Sequence, residues 1–189
     1  MLDPEPPVRP LVAIRSERPA DPADVEAIRA VLRAAFPTED EADLVDRLRA
    51  TGELDPERSL LAVVEGKVVG HCLLTATTLE HPDGTRIRGR VLALGPMAVL
   101  PAWQRRHVGT QLMHAALERS ERDGAAAVVL VGSPTYYARF GFGPARRMGL
   151  LPPGHWRDEV WMARPLPART PADVGVVWYA PPFLDLGQA

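Results

Sequence analysis

The chain has 189 residues, a formal net charge of −2 and a hydrophobic content of 46%. This length fits one domain that can bury a substantial core. The first residues are acidic and proline-rich, unlike a signal peptide, and no apolar run reaches the roughly 18 residues of a membrane helix. Because Cys72 is the only cysteine, an intrachain disulfide is excluded and we expect a cytoplasmic protein.

The charges are spread unevenly along the chain. Residues 1–60 hold 14 acidic residues and 8 arginines, whereas the remainder holds 10 acidic and 14 basic residues. The second part therefore has a net positive charge, which suits an anionic ligand such as a phosphate. The excess is too small for the strongly basic surface that nucleic-acid binding usually requires, so we expect no nucleic-acid partner.

The predicted elements begin with a strand over residues 12–15, after a proline-rich stretch over residues 1–10 that we predict to be disordered. Asp21-Pro22 supplies an N-cap and a proline at the first helical position, which predicts a first helix. Thr38 and Glu41 form a capping-box pattern, which predicts that a second helix begins there.

The apolar pattern then changes from helical to strand-like. Residues 60–65, residues 68–78 and a run ending at Leu100 predict three antiparallel strands joined by tight turns. Pro96 interrupts the third strand. Because proline cannot donate to a strand ladder, we expect a bulge or a gap in the pairing at this point. An edge strand that tolerates the proline is the alternative.

A helix over residues 108–123 is predicted next, and residues 104–110 form the loop that opens it. The first N–H groups of a helix lack helical partners, and the helix dipole favours negative charge there. The loop therefore predicts a phosphate site. The remaining predicted elements are a buried strand over residues 126–132, a short helix through residues 136–137, and late strands over residues 159–164 and 174–179.

Two motifs resemble those of the GNAT superfamily of N-acetyltransferases. The family pattern Gln/Arg-x-x-Gly-x-Gly/Ala reads here as Gln104-x-x-His107-x-Gly109, so His107 replaces the first glycine. The family element aromatic-Tyr-x-x-hydrophobic-Gly-Phe reads here as Tyr136-Tyr137-Ala138-Arg139-Phe140-Gly141-Phe142. Together with the preceding Pro134, this second element is similar to a bacterial subgroup described as predicted N-acetyltransferases.

The resemblance extends over residues 12–150 and implies the fold. We expect an α/β fold in which helices flank a mixed, splayed central sheet with an antiparallel N-terminal meander. We also expect a single domain over residues 11–189.

The resemblance implies direct transfer of an acetyl group from acetyl-CoA to an amine. In GNAT enzymes the pantetheine arm lies along the strand before the motif helix, and the pyrophosphate lies on the loop that opens this helix. Tyr137 is implied as the acid that protonates the departing CoA thiolate, since a phenol with a pKa of about 10 stays protonated at neutral pH. The implied acetyl-CoA-binding residues are Met97, Ala98, Val99, Gln104, Arg105, Arg106, His107, Val108, Gly109 and Thr110.

Some alternatives stay open at this point. The side chain of His107 either crowds the phosphate or leaves the required backbone amide in place and adds a donor. An acyl-CoA-binding sensor or a decayed enzyme with little transferase activity is therefore the alternative function. Glu41, His71 and Glu80 have suitable chemistry for a general base, and none of them stands out.

The expected acceptor is an amine on a small molecule or a peptide, and we expect no membrane partner. The oligomeric state stays open, with a homodimer among the options. The histidines have no zinc-ligand spacing with one another or with Cys72, so we expect no metal. The absence of a Gly-x-x-x-x-Gly-Lys-Ser/Thr motif excludes a P-loop.

Overall fold

The computed structural model describes residues 11–18 and 21–185. The predicted disordered stretch over residues 1–10 lies outside them. The described residues form a mixed nine-stranded sheet with helices on both of its faces. This architecture confirms the predicted α/β class.

The bounds of most elements agree with the sequence prediction to within two residues. The α-helices are α1 (Pro22–Ala35), α2 (Asp40–Ala50), α3 (Val108–Arg122) and α4 (Pro134–Tyr137). The first five strands are β1 (Ala13–Ser16), β2 (Ser59–Val64), β3 (Lys67–Glu80), β4 (Arg86–Val99) and β5 (Ala127–Val131). The last four are β6 (Gly143–Pro144), β7 (Leu150–Leu151), β8 (Trp161–Pro165) and β9 (Gly175–Trp178).

The two N-terminal helices begin differently from each other. The Asp21 side chain accepts a hydrogen bond from the backbone N–H of Ala23 at 2.9 Å, which confirms the predicted cap of α1. The capping box predicted for α2 is wrong, because Glu39 occupies the N-cap position without a side-chain cap. The Thr38 hydroxyl instead donates to the Asp40 carboxylate at 3.0 Å, so it does not cap a backbone N–H.

The meander and the splay are both present. Strands β2, β3 and β4 pair antiparallel in sequence order, and β1 pairs antiparallel with β2. Strand β4 then pairs parallel with β5 over only three residue pairs, the last of which is Ala93↔Val129. Beyond this pair the two strands separate, so the edge of β4 that faces β5 is free of ladder hydrogen bonds from Leu94 onward.

Pro96 causes the predicted irregularity in β4. Cys72 pairs with Met97 and Leu74 pairs with Leu94, so Gly95 and Pro96 together oppose a single residue of β3. The strand therefore carries a bulge next to the point at which β4 and β5 separate. The Gly95–Pro96 peptide bond is cis.

Three apolar clusters cover the sheet. One face packs against α3, with Cys72, Leu112 and Leu130 buried there. The opposite face packs against α1 and α2 through residues such as Ile28, Leu48 and Leu73. A third cluster lies around Trp161 and joins β8 and β9 to β4 and β5. The sheet thus places the end of β4, the start of α3 and the end of β5 close together.

Candidate active site

The loop before α3 has an unusual backbone. Arg105 has a φ of 59°, and His107 has a φ of 65° with a ψ of 7° at the N-cap of α3. Glycine adopts this left-handed conformation at little cost. It is uncommon for residues with a side chain, although histidine adopts it more often than most. The conformation explains why glycine suits this position. Successive backbone N–H groups beside a left-handed residue commonly form a concavity that binds anions.

A cleft of about 430 Å³ opens at this loop, and six of the ten predicted CoA-binding residues line it. Its lining consists of Val99, Gln104, Arg105, His107, Gly109, Thr110, Tyr136 and Arg139. No acidic residue is among these lining side chains. The cleft therefore offers helical N–H groups and guanidinium groups without a competing carboxylate.

The other four predicted CoA-binding residues lie around the cleft without lining it. The side chains of Ala98 and Val108 are buried in the core, and Met97 packs against the cluster on the α3 face. Any contact of Ala98 and Val108 with a ligand would therefore involve their backbone groups. The Arg106 guanidinium lies 5.3 Å from the centre of the Trp103 ring.

Gln104 has a structural contact within the site. Its side-chain amide donates to the backbone oxygen of Val99 at 3.1 Å. This hydrogen bond connects the loop before α3 to the end of β4. It therefore helps to keep the first turn of α3 next to the free edge of β4.

Tyr137 stands where β5 ends. Its ring covers Gly132 so closely that a Cβ atom there would overlap it, and it makes an edge contact with Phe142 at 5.9 Å between ring centres. The ring packs against the cluster that contains Cys72. Burial raises the pKa of the Tyr137 phenol to about 12, with smaller contributions from Cys72 and Tyr136. The phenol is therefore protonated throughout the neutral range.

Tyr136 and Arg139 also belong to the cleft, although the sequence prediction did not include them. A Cβ atom placed on Gly109 would lie 3.0 Å from the Tyr136 hydroxyl, so α4 and the first turn of α3 meet closely at this point. Tyr136 and Arg139 are three residues apart on a helical turn, so they share a face. This spacing is the sequence signal that could have identified both as cleft residues.

None of the three residues considered as a general base lines the cleft. His71 is fully buried, its Nε2 lies 3.0 Å from the Ser59 hydroxyl, and burial together with Arg49 lowers its pKa to about 3. Glu80 forms an ion pair with Arg86. Glu41 is half-buried on α2, and its Oε2 has no hydrogen-bond partner among the described residues.

Among residues 11–18 and 21–185, no three His, Cys, Asp or Glu side chains come together in a group that could hold a metal ion. No helix in the same part of the chain is both long enough and apolar enough to cross a membrane.

Comparison with known proteins decides the family. The model of the acetyltransferase (GNAT) domain matches residues 16–145, which is more than half of the chain. The chain belongs to the GNAT acetyltransferase family. It is 38% identical over 124 residues to the uncharacterized N-acetyltransferase YjhQ of Escherichia coli K12, covering 66% of this chain and 67% of that protein.

Solved GNAT structures have the same fold. The GNAT family N-acetyltransferase YhbS of Escherichia coli, in complex with CoA, superposes with a TM-score of 0.79 at 26% identity and 97% coverage of both chains. A GNAT family acetyltransferase from Brucella melitensis, in complex with acetyl-CoA, gives a TM-score of 0.71 at 30% identity, covering 92% of this chain and 98% of that one. This GNAT protein is therefore an acyl-CoA-dependent acetyltransferase.

Proposed function

We propose that this GNAT enzyme transfers an acetyl group from acetyl-CoA directly to an amine on a small molecule or a peptide. The observation that carries the proposal is the cleft at the start of α3, which adjoins the point where β4 and β5 separate. The similar GNAT structures from Escherichia coli and Brucella melitensis have CoA and acetyl-CoA bound, respectively.

The cleft fits the phosphates of acetyl-CoA in charge. The N–H groups of Val108, Gly109 and Thr110 have no helical acceptors, and a helix N-terminus stabilises an anion by about 0.3–1 kcal/mol, or up to about 2 kcal/mol when sheltered. Arg105 adds positive charge, and the lining lacks carboxylates. These residues would hold the diphosphate.

The free edge of β4 fits the pantetheine arm. Its backbone groups from Leu94 to Val99 have β3 on one side and no ladder partner in β5 on the other. Met97 and Val99 would supply hydrogen bonds to the two amides of the arm. The thioester would then lie near the tip of the gap, where acetyl-CoA supplies an activated acyl group.

Tyr137 is the acid in this proposal. Its raised pKa keeps a proton on Oη. As the C–N bond forms and the C–S bond breaks, that proton would pass to the departing sulfur, and the proton lost by the amine nitrogen would return through water to the Tyr137 phenolate. Cys72 is fully buried, and burial raises the pKa of its thiol to about 12, so it remains an uncharged, poor nucleophile. The buried, uncharged thiol supports direct transfer over an acyl-cysteine intermediate.

The variant Tyr137→Phe tests this function. We expect turnover to fall by about 10²- to 10⁴-fold because the general acid is lost, with CoA affinity retained. Release of the CoA thiol with a panel of primary amines measures turnover, and calorimetric titration with CoA measures affinity. Tyr179→Phe is the matched control, since Tyr179 packs against Trp156 and Phe183 and does not line the cleft.

Two results would contradict the proposal. Full turnover of Tyr137→Phe would remove Tyr137 from the chemistry. A wild-type protein that binds CoA at one site but releases none with any amine would instead favour the acyl-CoA sensor.

The cellular setting is part of the proposal. We infer a cytoplasmic enzyme, which the single, buried cysteine supports. A homodimer is consistent with this function, and light scattering coupled to gel filtration determines the oligomeric state.

A further inference from the structure

We propose that Arg139, fixed by Tyr136, binds a phosphate group of CoA from the side of the cleft opposite α3. The inference rests on the proposed binding of acetyl-CoA. It adds a specificity residue from α4 and the turn after it, which would make affinity depend on the nucleotide end of the co-substrate.

Arg139 is held in place before any ligand binds. Its Cζ lies 4.0 Å from the centre of the Tyr136 ring and 5.2 Å from that of Phe140. Its Nε donates to the Tyr136 backbone oxygen at 3.0 Å. Stacking and this one hydrogen bond fix the plane of the guanidinium, so little side-chain entropy is lost when a ligand binds.

Arg139 has no acidic partner. Among the described residues no carboxylate forms an ion pair with it, and its guanidinium lies against the rings of Tyr136 and Phe140. Other arginines, such as Arg15 and Arg90, are paired with Asp24 and Asp173. A stacked, unpaired guanidinium in a cleft without acidic side chains favours a planar, two-pronged contact with a phosphate.

Tyr136 links this guanidinium to the helix N-terminus. Its hydroxyl lies 3.0 Å from the position of a Cβ atom on Gly109, so the ring spans the distance between the first turn of α3 and Arg139. Arg139 and the N–H groups of α3 therefore face one space from two sides. CoA carries a diphosphate and a 3′-phosphate, and either group can occupy the Arg139 side.

Calorimetric titration with three ligands tests the inference. The ligands are CoA, 3′-dephospho-CoA and pantetheine, which carries no phosphate. Arg139→Gln should weaken CoA binding roughly tenfold, as expected for loss of a charge-assisted hydrogen bond, and should leave pantetheine binding unchanged. A tenfold loss that persists with 3′-dephospho-CoA assigns Arg139 to the diphosphate, and a loss that vanishes assigns it to the 3′-phosphate.

The matched control is Arg122→Gln. Arg122 is an exposed arginine at the far end of α3, about 20 Å along the helix from Gly109, and its variant should bind CoA like the wild type. Tyr136→Leu removes the stacking partner and should reproduce part of the loss. Arg139→Lys keeps the charge without the planar fork, so we expect an intermediate affinity.

Three results would overturn the inference. The first is equal CoA affinity of Arg139→Gln and the wild type. The second is an equal loss with pantetheine, which would indicate a general disturbance of the cleft. The third is a wild-type protein that does not bind CoA, and only this result would also remove the proposed function.

Discussion

His107 has a strained, left-handed backbone conformation in the loop before α3. A residue with a side chain in this conformation carries strain of about 1–3 kcal/mol, which glycine avoids. Part of this gain in stability is lost, because glycine also increases the conformational entropy of the unfolded chain. We therefore expect His107→Gly to raise the free energy of unfolding by about 1 kcal/mol. Urea denaturation measures the change. CoA affinity should not fall, because the backbone amide remains.

The control variant should change the free energy of unfolding in the opposite direction. His114 is an exposed residue inside α3, where glycine is less favourable than histidine by roughly 0.3–0.4 kcal/mol, so His114→Gly should be slightly less stable than the wild type. If both glycine variants were destabilised, the strain at His107 would be refuted.

At the residue scale, the sequence predicted six of the eight residues that line the cleft, and it was less informative about how each takes part. Gln104 was predicted to bind CoA, and its amide donates to the Val99 backbone. Tyr136 and Tyr137 are adjacent and carry the same side chain, but Tyr136 lines the cleft and Tyr137 covers Gly132. Which ring faces which way depends on packing between α4, α3 and β5, and no local pattern encodes that.

At the scale of elements, α1 is anchored to the sheet by a buried carboxylate. Asp24 is 1% exposed, and it accepts hydrogen bonds at 2.6 Å from each terminal nitrogen of Arg15, and others from the backbone N–H and side chain of Arg18. Asp24→Asn removes the charge that these donors require. We expect the free energy of unfolding at pH 7 to fall by about 2–3 kcal/mol, measured in urea.

The pH dependence of the same variant follows from the pKa of Asp24. Hydrogen bonds from Arg15 and Arg18 hold that pKa well below its ordinary value, so the contribution is present above the unfolded pKa of about 4 and is lost as the pH falls further. The stability gap between wild type and Asp24→Asn should narrow below pH 4. Asp43→Asn, an exposed change on α2, should cost almost nothing.

Elements with a clear period were predictable, and short ones were not. Alternating apolar residues and turns located β2, β3 and β4 closely, because each strand is long and bounded by turn residues. Strands β6 and β7 have two residues each, too few for any period. The capping box failed since a nearby carboxylate, Asp40, competes for the Thr38 hydroxyl.

At the scale of the molecule, the C-terminal part completes the sheet beyond the matched family region. Strand β8 pairs with β5 from Ala127↔Pro165 to Val131↔Trp161, and β9 pairs with β3. Arg90 on β4 forms an ion pair with Asp173 and also donates to the backbone oxygen of Ala168. The late strands were foreseen, but their partners were not, because sequence alone does not specify pairing across such distances.

These shared strands predict that residues 11–189 unfold as a single domain. The last three tryptophans, Trp156, Trp161 and Trp178, all lie in the C-terminal part, so fluorescence of a Trp103→Phe variant reports on that part alone. Far-UV circular dichroism reports on the whole chain. Because β8 cannot leave β5 without exposing the buried Trp161, we expect the two urea transitions to coincide in midpoint and slope. A fluorescence transition at lower urea would mean that the C-terminal part melts first, and the single-domain prediction would fail.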